Sequence, residues 1–355
     1  MKKISYLLSA ALITFCVSCG EEDNSVNQQA KPVGNTQDFV SAVAKGGVVT
    51  LAPDAKITLT EAIVVTKPVE IVGNEESDGA IIFGEKGIIT SSSVTISHVT
   101  LNAEKLTTPL IQFAPVSVEE GESVKIDKIE FNDADITNLS CQLIYANKQP
   151  YLVSSIIVEN SIIEIGNAVK KTIFDFNGGG NTELLSINNS TIYGNPENTT
   201  WQNGGFFSSQ SGKEVTDLGG ETTKLSITNS TLYYITSGVT VNTLRKNNQA
   251  HQFYVVKNNI IVNCGKKGQF LAGLAAGNIS KKANWDAQNN IINWIENDNV
   301  EDLSVAENTK AGLKDLENNI PDPVWDIRIT TFADLNYGDF SQSTTTIGDP
   351  RWIEQ

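Results

Sequence analysis

Reactive side chains are scarce in this 355-residue chain: two histidines, four cysteines and three arginines, Arg245, Arg328 and Arg351. Cys16 and Cys19 lie near the N-terminus, so only Cys141 and Cys264 serve the body. Two distant cysteines exclude a disulfide-dense scaffold and a zinc site, which needs clustered ligands at short spacing. A single long-range disulfide is compatible with export, but the repeat described below sets the pair about four coils apart, and two free thiols are expected. His98 and His251 are isolated and suit ordinary hydrogen bonding. Scattered arginines offer no obvious base for β-elimination, and Gly178-Gly179-Gly180 lacks the lysine and following helix of a phosphate loop. Positive charge is short as well: 26 Lys and Arg face 41 Asp and Glu, a formal charge of −15. Such a surface repels nucleic acid and anionic lipid. It also disfavours polyanionic substrates, unless calcium or a basic pair such as Lys170-Lys171, Lys266-Lys267 or Lys281-Lys282 intervenes.

The N-terminus reads as an export signal. Lys2 and Lys3 precede the uncharged stretch Ile4 to Val17, whose fourteen residues fall short of the roughly 20 that span a bilayer. The run Phe15-Cys16-Val17-Ser18-Cys19-Gly20 resembles the lipobox of bacterial lipoproteins, with Cys19 as the acylated residue; Cys16 stands where leucine is usual. Gly20-Glu21-Glu22-Asp23 resembles the surface-export tags of outer-membrane lipoproteins of the Bacteroidota type, the alternative being a solvated linker. These resemblances imply loss of residues 1–18, a mature charge of 24 − 41 = −17, and attachment to the outer membrane, at the cell surface, through lipid. Residues 19–35 are polar and aperiodic, and read as a tether.

Asn35-Thr36 reads as a helix N-cap, with Phe39, Val40 and Val43 spaced for one apolar face and Gly46-Gly47 to stop the helix. Strand-like segments follow at 48–51, 57–59, 63–65 and 69–73. The helix and the runs Gly47-Val-Val-Thr-Leu-Ala-Pro-Asp54 and Lys67-Pro-Val-Glu-Ile-Val-Gly73 resemble the N-terminal cap and opening coil of pectin-lyase-like β-helices. Seven similar units then begin at Val94, Val124, Ile156, Leu185, Leu225, Tyr254 and Trp285. Their fifth positions are 98, 128, 160, 189, 229, 258 and 289, giving steps of 30, 32, 29, 40, 29 and 31 residues. Units rich in Ile, Val and Thr suit a pleated strand surface, and their period exceeds that of leucine-rich repeats. The expected fold is therefore all-β, a right-handed parallel β-helix over 36–297 behind a short capping helix. With coils about 4.8 Å apart, roughly eight to ten of them make a rod of about 40–50 Å.

Asparagine fills the fifth position of the last five units: Asn160, Asn189, Asn229, Asn258 and Asn289. Asparagine tolerates left-handed backbone and its amide bonds to the next coil, so a turn ladder is expected; the alternative is a sugar-binding row. The 40-residue step marks an insertion holding Asn195-Pro196, Trp201, Gly204-Gly205, Phe206-Phe207 and Gly219-Gly220. Trp201 with Tyr193, Tyr233 and Tyr234 offers candidate stacking surfaces for sugar rings, or else packs a loop or coil edge. Residues 298–355 read as an irregular capping segment, with one strand at Trp325-Asp-Ile-Arg-Ile329. The ending Ile347-Gly-Asp-Pro-Arg-Trp352 resembles that of exported, lipid-anchored β-helix proteins of Bacteroidota, the domain-of-unknown-function families 4957 and 5123. That resemblance implies association with polysaccharide and carries over no catalytic residue.

Chemistry is thin. Asp133 and Asp135 are a candidate carboxylate pair, if the Asp-x-Asp spacing puts both on one strand face, with Glu164 or Asp175 as facing partners; solvated turn residues are the alternative. Glycosidases need two carboxylates at a set separation, and the adjacent-Asp and Gly-His-Gly motifs of β-helix hydrolases are missing. Three functions stay open: a non-catalytic glycan-binding surface protein, a polysaccharide lyase or glycoside hydrolase, and a structural or adhesive rod. No cofactor or metal is expected, calcium entering only under the lyase reading.

Overall fold

The computed structural model describes residues 31–74, 79–166, 171–194, 205–209, 213–235, 241–242, 252–262, 264, 284–296, 299–301 and 347–353. The chain opens with the helix Thr36–Lys45, whose N-cap Asn35 accepts the Asp38 amide at 3.0 Å. Phe39 and Val43 are buried, whereas Val40 is 38% exposed, so the apolar face is narrower than the expected triplet. Gly46 and Gly47 end the helix at φ 78° and 81°, backbone that glycine adopts at little cost.

From Gly47 the chain winds as a right-handed parallel β-helix, with nine coils among the described residues. Each contributes a strand to the first sheet, starting with Gly47–Thr50, Val69–Val72 and Val94–Ser97, and ending at Asn284–Gln288. A second sheet runs from Lys56–Leu59 to Ile291–Glu296, and a third, over the first seven coils, from Ile63–Val65 to Val241–Asn242. Strands of successive coils pair in parallel throughout the stack. Among the described residues only Asn299–Glu301 runs antiparallel, against Ile291–Glu296.

Like stacks on like along the axis. Ile71, Ile96, Phe131, Val158, Ile187, Ile227 and Val256 form the inward column of the first sheet. Ile81, Leu101, Ile136, Ile163, Ile192, Leu232 and Ile261 form that of the second. Phenylalanines fill the corners at the third sheet, Phe174 against Phe206 at 5.4 Å and Phe176 against Phe207 at 5.9 Å between ring centres. Cys141 and Cys264 are buried free thiols.

The turn between first and second sheets is where the repeat is sharpest. His98, Asp133, Asn160, Asn189, Asn229, Asn258 and Asn289 all sit there with φ between 46° and 57°. The expected second unit was out of register: its turn residue is Asp133, not Lys128, because Ile129 lies beside Val94 and Asn132 beside Ser97. The cause is the nine-residue strand Val124–Asn132, whose two-residue alternation fits several registers equally well. The first steps are therefore 35 and 27 residues.

Amide ladders do form. Asn289 donates to Asn258 at 2.7 Å, and Asn258 to Asn229 at 3.1 Å. Lower down the ladder shifts sideways: Asn229 donates to Asn188, and Asn189 to Glu159. Beside it runs an inward ladder at the next residue. Ser161 accepts the Ala134 amide, Ser190 that of Ser161, Ser230 that of Ser190, Asn259 that of Ser230 and Asn290 that of Asn259. Each of these side chains satisfies a buried N–H that the tight turn leaves without a strand partner.

The 40-residue step is not one projecting loop. Phe206 and Phe207, expected in it, are core residues of the third sheet. Its later part folds back over the first sheet, where Val215 and Leu218 cover Leu152 and Lys125 donates to the Gly219 carbonyl at 2.9 Å.

Candidate functional site

Strand alternation sends every second residue of each sheet outward, so the rod offers three lateral faces. On the second-sheet face, two outward columns carry the polar and aromatic side chains. One is Thr100, Asp135, Ile162, Thr191, Thr231 and Ile260; the other includes Glu164, Tyr193, Tyr233 and Val262.

The structure separates the two aspartates of the candidate pair. Asp133 is a left-handed turn residue, so it does not share a strand face with Asp135; it pairs with His98 Nδ1 at 2.8 Å, both side chains partly exposed. Asp135 begins the next strand and is exposed. It falls near Glu164 and Tyr193 instead: the Tyr193 phenol is pushed up to about 12, chiefly by burial, then by the charges of Glu164 and Asp135. Glu164 also accepts the Asn138 amide at 3.1 Å. Trp201 and Cys19 lie outside the described residues.

Tyr193 and Tyr233 face a neighbour that spacing could not reveal. The C-terminal Ile347 and Trp352 pack against the buried cluster of Tyr233, Ile260 and Val262, as Tyr193 and Tyr234 also do. Tyr233 is 6% exposed, and burial raises its phenol to about 12. Its ring thus belongs to a cradle for the chain terminus. Gly348 takes φ 101°, and a Cβ there would stand 2.8 Å from Ile260 Cδ1. Asp349 caps the short helix Pro350–Trp352 by accepting the Arg351 amide.

The third-sheet face is different in character. Its outward row runs Gln112, Tyr145, Asp175 and Ser208 on four successive coils. Buried Ile111 and Phe113, Ile144 and Ala146, and Phe174 and Phe176 alternate with the first three. Gln112, Tyr145 and Asp175 are partly exposed, and Ser208 is buried. Asp175 accepts the Asn177 amide at 3.0 Å and a bond from Gln142, whose carbonyl in turn accepts the Cys141 thiol at 2.9 Å. Burial raises the Asp175 carboxyl above its ordinary range, while the Asn177 and Gln142 bonds and the Lys171 charge pull the other way. The Tyr145 phenol is raised by burial and then by the Asp175 charge. An aromatic ring, an amide and a carboxyl in line along the rod can stack on a ring-shaped ligand and exchange hydrogen bonds with its hydroxyls.

The sequence pattern points to Asp175 only as a facing partner for the Asp133 and Asp135 pair, and to Gln112 and Tyr145 not at all. Third-sheet strands of two or three residues leave almost no periodic signal. The recurrence of an apolar–polar–apolar triplet at 111–113, 144–146 and 174–176 was the trace available.

Residues 55–195 match the profile of a family described as a domain of unknown function (DUF4957), a stretch that runs from the first coil into the sixth. The expected likeness to that family thus holds over those residues. No curated protein and no solved structure matches the chain.

Proposed function

We propose that the protein is a lipid-anchored β-helix of the outer-membrane surface that binds polysaccharide without cleaving it. The carrying observation is the third-sheet row, in which Gln112, Tyr145 and Asp175 stand in register on adjacent coils. Rungs repeating about every 4.8 Å suit an extended polymer lying along the axis. The surplus of carboxylates over basic groups favours an uncharged glycan over a polyanion. Cys19, its preceding Ser18 and the acidic run 21–23 support the anchor and surface display. One carboxyl in the row supports binding over hydrolysis, which uses two.

A polysaccharide hydrolase or lyase is the competing reading, and a specific observation favours it. A carboxyl that burial holds above its ordinary range beside a tyrosine keeps its proton to higher pH than a solvated one, the direction a general acid needs.

Affinity electrophoresis against neutral and acidic polysaccharides tests both. Retardation by a neutral polymer, weakened about tenfold in Tyr145→Ala, which corresponds to ~1.4 kcal/mol of lost contact, supports the proposal. Retardation by no polymer sinks it, and release of shortened products, lost in Asp175→Asn, replaces binding with catalysis. For the anchor, Cys19→Ser in a lipoprotein-processing host shifts the protein from the membrane to the soluble fraction; unchanged partition overturns that part.

A further inference from the structure

The C-terminal segment reaches across the second-sheet face against coils five to eight. It runs over the strands instead of pairing with them, so its contacts are made mostly by side chains. Asp349 is 1% exposed, and its carboxylate accepts the Thr191 hydroxyl at 2.7 Å and the Arg351 guanidinium. Its amide donates to Thr231 at 3.2 Å. The Trp352 indole donates to the same Thr191 hydroxyl at 2.7 Å, so that one threonine serves two residues of the segment. Arg351 reaches on to the carbonyls of Asn160 at 3.2 Å and Ser161 at 2.8 Å, and the Gly348 amide meets the Asn258 carbonyl at 2.9 Å.

The cradle is built for this sequence. Along its outward column Thr191 and Thr231 are the two hydroxyls between Ile162 and Ile260, and both engage Asp349. One coil beyond Ile162 the same column carries Asp135, a like charge to Asp349. Gly348 is required by its backbone angle and by Ile260 beneath it. The Arg351 partners are carbonyls at the left-handed turn, whose position the inward serine ladder holds.

We propose that this face is a peptide-binding site whose ligand is the chain's own Ile347–Trp352 segment, and that it accepts the same sequence supplied in trans. Recognition is by sequence: a buried carboxylate read by the Thr191 hydroxyl while Thr231 holds its backbone amide, a guanidinium read by two carbonyls, and a glycine where no side chain fits.

The test uses the full-length chain carrying Asp349→Ala, which unlatches the resident segment and leaves the cradle whole. A fluorescently tagged peptide of residues 347–355 is titrated against this variant and against the unaltered protein, with anisotropy as the readout. The peptide is expected to bind the variant at least about tenfold more tightly than the parent, whose cradle is filled, and to lose about tenfold when its own aspartate is replaced by asparagine. Equal binding to both proteins, or no binding to a variant whose far-ultraviolet circular dichroism matches the parent, overturns the proposal. Should Asp349→Ala fail to fold, Arg351→Ala, which removes the outer half of the latch, takes its place with the same readings.

Discussion

Replacing Asn259 tests whether the inward ladder, not the asparagine row alone, holds the turns. Asn259 is buried. Its carbonyl accepts the Ser230 amide at 2.9 Å, and its amide donates to the Ile227 carbonyl at 2.8 Å and to Asn290 at 2.9 Å. Asn259→Ala orphans the buried Ser230 N–H, at a cost of about 1–3 kcal/mol, and removes the bonds to Ile227 and Asn290, at about 1 kcal/mol each. The sum is about 4 kcal/mol. Asn259→Ser is the internal control, because Ser190 and Ser230 fill the same position in earlier coils and accept the same kind of amide at 3.0 and 3.2 Å. It is expected to cost about 2 kcal/mol, the worth of the two amide bonds it lacks. Coils of a solenoid need not unfold together, so urea denaturation is read alongside hydrogen exchange at the Ser230 amide. The serine variant should keep that amide protected and the alanine variant should expose it. A serine variant as damaging as alanine, or an alanine variant within about 0.5 kcal/mol of the parent, would refute the reasoning.

Other consequences follow from single positions. Gly348→Ala places a methyl group against Ile260 and strains a backbone at φ 101°; destabilisation of about 1–3 kcal/mol should appear in thermal melts, and an unchanged melt would detach the segment from the stability of the rod. Burial pushes the Cys264 thiol up to about 12 and raises that of Cys141, so iodoacetamide at mildly alkaline pH should label neither until denaturant is added. Asp175 has its folded carboxyl raised, so the folded chain holds that proton more tightly than the unfolded one, and stability falls as pH climbs from the ordinary carboxylate range through the raised value. Asp175→Asn should therefore be more stable than the parent above that window and equal to it below, as read by urea midpoints across pH.

Legibility varied with the length of the signal. The cap helix, the opening strands and most turn positions could be read from residues, because an eight-residue unit recurring at near-constant step is hard to produce by accident. Register in the fourth coil could not be read, since Val124–Asn132 alternates long enough to fit two alignments. The inward ladder is not legible in the sequence although its serines and asparagines adjoin the conspicuous row; a buried polar residue is recognised by what it satisfies, and that partner lies one coil away. Tyr193 and Tyr233 were readable as aromatic and near one another, but not as the bed of a segment more than a hundred residues downstream.

Local chemistry alone settled the winding of this chain: β-branched alternation makes the strands, and a residue tolerant of left-handed backbone turns them at each corner. Those are short-range steric and solvation preferences, legible wherever they repeat. Tertiary structure decided which polar side chains point outward together and which surfaces stay open. The third-sheet row joins residues about thirty positions apart, and the Asp349 latch joins residues 158 apart. Such contacts depend on coil register and on the path of the terminus, and neither is encoded in any local window.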